Sequence, residues 1–196
     1  MTPADDEPVG RDARRRRTEE AILAAAREQF AGSGYADVTI RSVAAAAGVD
    51  PALVMQYYGS KERLFGAAAH WPEEADSALS ADRAGLPAAV LDDIFERFEG
   101  AGQDREAVVA LMRNCLTHPE AGRIVRDEVI CERQAHAASV IGGPDAELRA
   151  ALVGAVLMGV AMSRHLLEVP AVVEAQQDDL RRVLEPVLRQ LVEGGG

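Results

Sequence analysis

The sequence predicts an all-α protein with a short three-helix N-terminal part and a longer helical C-terminal part. Its 196 residues are enough for one or two compact domains. Of these residues 48% are apolar, and most of the apolar residues are Ala, Leu and Val, a composition typical of packed helices rather than of sheets. Apolar residues also recur at spacings of three and four between Gly and Pro breaks, as they do in amphipathic helices.

Charge is distributed unevenly along the chain, although its net value is −11. Residues 10–65 carry nine Arg or Lys against seven Asp or Glu (+2), whereas residues 66–196 carry twelve against twenty-two (−10). Because local charge governs contact with phosphate, the N-terminal part remains compatible with a nucleic-acid partner. The four arginines Arg14–Arg17 would either reach DNA from a flexible arm or form the solvated start of a helix.

The first predicted helix begins after Thr18 and ends at the glycine-rich break 32–34. Ile22, Ala26 and Phe30 recur at helical spacing and predict one buried face. The two glutamates that follow Thr18 suit the positive end of a helix dipole. We therefore expect one amphipathic helix before the break.

Two shorter helices are predicted after this break. Thr39 is a favourable N-cap residue, and Gly48 suits the left-handed turn that ends a helix. Asp50 is the expected N-cap of the third helix, which has Pro51 in its first turn and extends to about Tyr58. Two short helices joined by a tight glycine turn indicate a helix-turn-helix unit.

This unit separates packing residues from candidate DNA-reading residues. Small side chains at 44–47 allow the two helix axes to approach each other. Val43, Val49 and Val54 are expected to hold the angle between the helices. The outward side of residues 51–57 is expected to enter a DNA major groove.

Gly and Pro residues divide the rest of the chain into further predicted helices. These segments span residues 61–70, 87–99, 104–117, 119–139, 145–167 and 177–193. Pro186 lies inside the last segment and is expected to kink or shorten that helix, because proline removes a backbone donor and crowds the preceding turn.

The N-terminal part resembles the DNA-binding domain of the TetR, or tetracycline-repressor, family. An ordered pattern carries the resemblance: Thr-Ile-Arg-Ser-Val-Ala from Thr39, Ala-Gly-Val from Ala47, and Gln-Tyr-Tyr-Gly-Ser-Lys-Glu-Arg-Leu-Phe from Gln56. It covers residues 15–65, including the Gly-Ser-Gly-Tyr link from Gly32, whereas the C-terminal part agrees in helix number and length. The resemblance implies a dimeric repressor that a small molecule releases from a palindromic operator.

Composition and the resemblance together divide the chain into four segments. Residues 1–14 are expected to be a disordered arm, and residues 15–65 a helix-turn-helix DNA-binding domain. Residues 66–193 are expected to form a helical effector-binding and dimerisation domain, and residues 194–196 a disordered tail.

The resemblance also implies which side chains contact double-stranded DNA. Contacts with bases or nearby phosphates fall on Arg41, Pro51, Ala52, Gln56 and Tyr57, and contacts with the DNA backbone fall on Thr39 and Lys61. Gln56 can hydrogen-bond to a base edge, and Tyr57 can donate to a phosphate or pack on a thymine methyl group. The alternative is that Gln56 and Tyr57 are ordinary exposed helix residues.

Two apolar stripes are predicted to form a homodimer interface. They consist of Leu148, Leu152, Ala155, Gly159, Met162 and Leu166 in one helix and of Leu180, Leu184, Val187 and Leu191 in the last helix. Two such helices from each subunit would form a four-helix interface. The alternative is that both stripes belong to the core of one subunit.

A small-molecule effector is expected to bind among the helices between these two regions. The candidate lining residues are Phe95, Phe98, Leu111, Met112, Cys115, Leu116, Met158 and Met162. Arg113, Asn114 and Arg164 are candidates for orienting a polar group of the effector. The alternative for the apolar set is plain core packing, and for the polar set a solvated or salt-bridged surface.

Other functional classes fit the sequence less well. It has no nucleophile elbow, no paired Glu-x-x-His motif and no strand that leads into a Gly-rich phosphate loop, so we expect no enzyme activity and no cofactor. The spacings of Cys115 with His118 and of Cys131 with His136 favour buried thiols over a metal site.

The sequence also bears on location and regulation. It has two cysteines and no apolar run that predicts a signal or membrane segment, which favours a cytoplasmic protein without a membrane partner. Two regulatory alternatives remain open, namely a regulator switched by a protein partner and an activator of transcription.

Overall fold

The computed structural model describes residues 7–70, 78, 80–99 and 103–194, and the regular elements in this part of the chain are helices. The all-α prediction is therefore confirmed. The helices are α1 (Glu7–Asp37), α2 (Ile40–Ala47), α3 (Pro51–Tyr58), α4 (Lys61–Ala69), α5 (Leu86–Glu99), α6 (Gln103–Thr117), α7 (Pro119–Val125), α8 (Cys131–Ile141), α9 (Ala146–His165), α10 (Pro170–Val173) and α11 (Gln177–Glu193). The disorder expected at residues 1–6 and 195–196 lies outside the described residues.

The first helix is longer than the sequence predicted. α1 begins at Glu7 rather than after Thr18, and Thr18 does not cap it. Instead, the Thr18 hydroxyl donates a hydrogen bond to Arg14 O (2.9 Å), four residues earlier, as a threonine inside a helix does. The expectation of a disordered arm over residues 1–14 is therefore wrong for residues 7–14.

The predicted break after the first helix is confirmed at Gly34. Its backbone angles, φ 79° and ψ 165°, interrupt α1 three residues before Asp37. This conformation is essentially restricted to glycine, because a Cβ atom would clash with the backbone. Gly34 therefore sets the direction in which the chain leaves the long helix toward α2.

The segment predicted as one helix over residues 119–139 changes its helix type. α7 leads directly into a π-helical turn at Arg126–Ile130, from which α8 continues to Ile141. The π turn brings Glu128 against α4, where a Cβ atom on Gly66 would overlap the Glu128 carboxylate. The absence of a side chain at Gly66 therefore permits this close approach.

The C-terminal helices follow the prediction with two differences. The short α10 was not predicted, and α11 continues through Pro186, which therefore does not shorten it. Gly194, expected to begin the disordered tail, is the C-cap of α11. Arg83 and Arg149 donate to the last carbonyls of α11, with Arg83 Nε 3.2 Å from Val192 O and Arg149 Nε 2.7 Å from Leu191 O. These bonds satisfy carbonyls that a helix end leaves free.

The buried side chains form three clusters. The first contains the inward-facing side chains of α1–α4 together with Ala121, Ile124 and Val125 of α7. The second joins α5, α8, α9 and α11, and the third contains Phe98, Met112 and Ala161. We call α1–α4 the head and the first cluster the head cluster. Because the head cluster includes residues of α7, the packing of the head continues into the C-terminal part.

Candidate nucleic-acid interface

The helix-turn-helix begins with a reciprocal N-cap on α2. Thr39 Oγ1 accepts from Ser42 N (3.0 Å), and Ser42 Oγ accepts from Thr39 N (3.1 Å). Each side chain therefore satisfies a backbone donor that the start of a helix leaves free. Thr39 is exposed, but its hydroxyl already takes part in this cap.

The turn between α2 and α3 depends on Gly48 and Asp50. Gly48 adopts the left-handed conformation (φ 67°, ψ 31°), and Val49 N donates to Ala44 O (2.9 Å) across the turn. Asp50 Oδ1 then accepts from Ala52 N (2.7 Å) as the N-cap of α3. Both caps were predicted from the residue types, and they fix the start of α3 relative to α2.

The side chains of α3 divide into a buried face and an exposed face. Val54 and Tyr58 are buried in the head cluster together with Val43 of α2. The exposed residues of the two helices include four predicted DNA contacts, namely Arg41, Pro51, Ala52 and Gln56. The candidate reading surface is therefore free of head packing.

Tyr57 lies at the edge of this surface and is half-buried. The centroid of its ring is 6.2 Å from that of Tyr58. The guanidinium carbon of Arg15, in α1, lies 5.7 Å from the centroid of the Tyr57 ring. This distance is in the range of a cation–π contact. The extension of α1 therefore places an arginine beside α3, which the sequence did not predict.

Lys61 is engaged within the head. Its Nζ donates to Ala36 O (3.0 Å) near the end of α1 and lies 4.6 Å from the Tyr35 ring centroid. The contact with the DNA backbone that the resemblance implied would require Nζ to share its donors between Ala36 O and a phosphate. An ammonium group has three such donors.

Two side chains of α1 hold the head helices together. Arg27 donates from Nε to Ala68 O (3.1 Å) and from Nη2 to His70 O (3.2 Å), at the end of α4. Gln29 Nε2 donates to Ser42 O (3.0 Å) of α2. α1 is therefore hydrogen-bonded to both α2 and α4.

Three aromatic side chains of α1 and α4 pack together inside the head. Phe30, Tyr35 and Phe65 form a cluster in which the Phe65 ring centroid lies 4.8 Å from Phe30 and 4.9 Å from Tyr35. Burial raises the pKa of Tyr35 and of Tyr58 to about 12 each, with acidic neighbours acting in the same direction. Both phenols therefore stay uncharged even at moderately alkaline pH.

Asn114 of α6 connects the C-terminal part to the break in α1. Its side chain is 6% exposed; Oδ1 accepts from Tyr35 N (2.8 Å), and Nδ2 donates to Phe30 O (3.0 Å) and Ala110 O (3.0 Å). Asn114 was a candidate for orienting an effector, whereas in the structure its side chain joins α6 to α1. In the sequence, the one sign of this role is that Asn114 places an amide among the apolar residues of α6.

The predicted effector-lining residues do not come together as one set. Phe98, Met112 and Met162 belong to the third cluster, whereas Phe95 belongs to the second. Cys115 packs against the head cluster, as does Leu111. Leu116 and Met158 face outward, with exposed fractions of 62% and 38%. Phe98, Met112 and Met162 thus remain together, and the ring of His165 stacks on Phe98 with 5.2 Å between centroids.

The other two polar candidates for an effector contact are Arg164, which has hydrogen-bond partners, and Arg113, which is exposed. Arg164 Nη1 donates to Ala175 O (2.9 Å) and to Val172 O, beside α10. Arg113 is exposed on α6. Within the described residues, no three or more His, Cys, Asp or Glu side chains are grouped to hold a metal ion.

The predicted dimer residues form a partly exposed apolar surface. On α9, Leu148 is 59% and Leu152 42% exposed, and Ala155 and Gly159 are also exposed. Met162 is half-buried, as is Leu166, the C-cap of α9. On α11, Val187 is exposed, whereas Leu180, Leu184 and Leu191 pack partly against the second cluster. Val183 of α11, which lies outside the predicted stripe, is exposed as well.

α9 is long and apolar enough, by length and composition alone, to cross a membrane. A helix in the core of a soluble protein passes the same criterion. α9 supplies Ala150, Val153, Leu157 and Ala161 to the buried clusters. Its composition is therefore explained by packing along one face and an exposed apolar stripe along another.

Two family models match this chain. One, described as "Bacterial regulatory proteins, tetR family", matches residues 22–68, and the other, "Tetracyclin repressor-like, C-terminal domain", matches residues 84–192. Among curated proteins, none matches the chain by sequence.

Several solved structures share the fold over nearly the whole chain. A TetR-family regulator from Streptomyces coelicolor is 28% identical, with 90% of this chain and 94% of that chain covered and a TM-score of 0.59. NalD, the secondary repressor of the MexAB-OprM multidrug efflux pump in Pseudomonas aeruginosa, is 21% identical, with 94% and 100% covered and a TM-score of 0.67. GusR of Salmonella enterica is 22% identical, with 95% and 97% covered and a TM-score of 0.58.

Proposed function

Because this chain belongs to the TetR family of transcriptional regulators, we propose that it is a homodimeric repressor that a small-molecule effector releases from a palindromic DNA operator. Regulators of this family are soluble DNA-binding proteins, and we place this one in the cytoplasm, where its operator would be. The repressor role has support from NalD, which is described as a repressor and shares the fold.

The main support for operator binding is the separation of faces on α3. Val54 and Tyr58 anchor the helix in the head, whereas Pro51, Ala52 and Gln56 are exposed along the opposite side. A recognition helix needs this arrangement, because base edges are read by side chains that packing does not use. Thr39 caps the start of α2 and Asp50 caps the start of α3, and an ordered helix start limits the entropy lost on binding.

Dimerisation is supported by the exposed apolar stripe on α9 and α11. Leu148, Leu152 and Val187 are each more than two-fifths exposed, and Gly159 has open space where a Cβ atom would lie. Such a stripe is typical of a surface that a second subunit covers. Two heads held by one dimer would contact half-sites about one helical turn apart, or multiples of that distance.

Release by an effector requires a physical connection between the C-terminal part and the head. Asn114 provides one connection at the break in α1, and the contact between Gly66 and Glu128 provides another at α4. An effector that binds near Phe98 and displaces α6 would move Asn114, since Met112 and Asn114 lie on that helix. A coupling free energy of about 1 to 3 kcal/mol would change operator affinity by about 5- to 150-fold.

The first experiment is selection of random DNA duplexes by the purified protein, followed by titration of the selected duplex at several salt concentrations. We expect enrichment of a palindrome and a steep loss of affinity with salt, because phosphate contacts release counterions. A compound library screened by thermal shift would then supply effectors, and operator affinity would be measured with each binder at saturation. Absence of an enriched sequence would contradict operator binding, and binders that leave affinity unchanged would favour a protein-controlled regulator.

A further inference from the structure

The first turns of α1 project beyond the head core and carry four exposed arginines. α1 begins at Glu7, whereas the first buried side chain described in it is Ile22. At 1.5 Å per residue, the helix extends about 22 Å ahead of Ile22. Arg14–Arg17 all lie in this projecting part and are exposed.

One face of the projecting part points toward the recognition helix. Arg15 precedes Ile22 by seven residues, about two helical turns, so the two side chains lie on the same face of α1. Ile22 packs into the head core, and Arg15 lies over the Tyr57 ring with its guanidinium carbon 5.7 Å from the centroid. Arg17 lies about 200° around the helix from Arg15 and therefore faces away.

These arginines also determine the sign of the charge on the head. Residues 10–65 carry nine basic against seven acidic side chains. Without Arg14–Arg17 the same segment would carry five against seven, a net charge of −2. A surface that approaches DNA phosphates needs positive charge, and in this chain the projecting part of α1 provides it.

We propose that the Arg15 face of α1 is a second DNA-contacting surface, in which Arg15 binds a backbone phosphate and holds the Tyr57 ring against the recognition helix. The proposal rests on operator binding by α3. It adds a phosphate contact at the side of the groove that α3 enters, made by a rigid helix rather than by a flexible arm.

The chemistry of the guanidinium group permits both contacts at once. A guanidinium that lies over an aromatic ring keeps its N–H donors in its own plane, where two of them can bind a phosphate side by side. Tyr57 is half-buried, and its neighbour Gln56 is exposed on α3, so Arg15 is held next to a predicted base contact. Because the backbone of Arg15 is helical, less conformational entropy is lost on binding than in a flexible arm.

The consecutive arginines provide a matched experiment. Arg15→Gln and Arg17→Gln each remove one positive charge from neighbouring exposed positions of the same helix, but only the first removes the contact with Tyr57. Affinity for the selected operator would be measured by fluorescence anisotropy as a function of salt. We expect Arg15→Gln to weaken binding about tenfold and to reduce the salt slope by about 0.9, the value for one phosphate. Arg17→Gln should change affinity less than about twofold.

Further variants separate the phosphate contact from its contact with Tyr57. Arg15→Lys keeps the charge but loses the planar group, so it should retain the salt slope and weaken binding by a few-fold. Since phosphate contacts carry no sequence information, Arg15→Gln should reduce the salt slope with random DNA as well as with the operator. Equal salt slopes for the Gln variants at 15 and 17 would overturn the proposal. Failure of the unsubstituted protein to select any duplex would instead contradict operator binding itself.

Discussion

Asn114 Oδ1 lies 2.8 Å from Tyr35 N, so a side chain of α6 accepts a hydrogen bond from the backbone just after the break in α1. The same side chain donates to Phe30 O on the other side of Gly34. One amide therefore bridges the interruption in α1 and attaches it to the C-terminal part. Both bonds are buried, where leaving a polar group without a partner costs about 1 to 3 kcal/mol.

Replacement of Asn114 by Ala should lower the free energy of unfolding by about 2 to 4 kcal/mol. The substitution removes three hydrogen bonds and leaves Tyr35 N and Phe30 O buried beside an apolar methyl group. Urea unfolding would measure the change, with the exposed Thr117→Ala on the same helix as the control. Equal stability of the two variants would show that Asn114 does not hold the break in α1.

Gly34→Ala and Gly32→Ala should have effects of opposite sign. At Gly34 the left-handed φ of 79° is strained for alanine, and the new Cβ would lie 3.3 Å from Asn114 Oδ1, so a loss of about 1 to 3 kcal/mol is expected. At Gly32, where the Cβ would meet open space, alanine should stabilise the protein by about 0.5 to 1 kcal/mol. Unfolding midpoints that shift in the same direction would contradict this conformational argument.

Gln56→Ala should weaken binding to the selected operator by about 1 to 3 kcal/mol without changing the fold or the oligomeric state. Gln56 is exposed on α3, and Val54 and Tyr58 supply the packing. Gln177→Ala, on the exposed start of α11, serves as a control far along the chain. Loss of the dimer in the variant at 56 would indicate a structural role for this side chain instead.

Leu152→Glu should convert the proposed dimer to monomers that remain folded. The side chain is 42% exposed on α9, and a symmetric interface would bury two copies of the new charge without partners. We expect the dissociation constant of the dimer to rise at least about hundredfold, as measured by sedimentation equilibrium. Leu116→Glu, at a 62% exposed position of α6, should leave the dimer intact. If only the variant at 116 dissociates, the interface lies elsewhere.

The two cysteines should differ strongly in their rate of alkylation. Burial raises the pKa of the Cys115 thiol to about 11, whereas Cys131 is exposed at the start of α8. Since the thiolate is the reactive species, iodoacetamide at pH 8 should modify Cys131 first, and the rate at Cys115 should rise about tenfold per pH unit up to its pKa. Peptide mass spectrometry would measure both rates. Equal rates at pH 8 would mean that Cys115 becomes accessible through local opening.

The parts of the fold that depend on local chemistry could be predicted from the sequence. Thr39, Gly48 and Asp50 act within three or four residues of themselves, and their roles as caps and turn follow from residue type alone. The start of α1 could not be predicted in this way, because Thr18 suits both a cap and a helix interior. Its hydrogen bond to Arg14 O decides between them.

The candidate site depends partly on contacts between distant segments. Asn114 and Phe30 are 84 residues apart, and no periodic pattern relates them. Likewise, Met112 and Leu116 are four residues apart on α6, yet one is buried and the other is 62% exposed. Helical spacing predicts that two residues share a face, but it does not predict how far along the helix a neighbouring element covers that face.

The engagement of Lys61 also has a practical consequence. Lys61 is the single lysine among the 196 residues. Amine-directed isotopic methylation would therefore label one side chain of the protein besides the terminal amine, and that side chain lies where α4 meets Ala36 and Tyr35. Its magnetic resonance signal would report on the junction of α1 and α4 in free, operator-bound and effector-bound protein without any engineered residue.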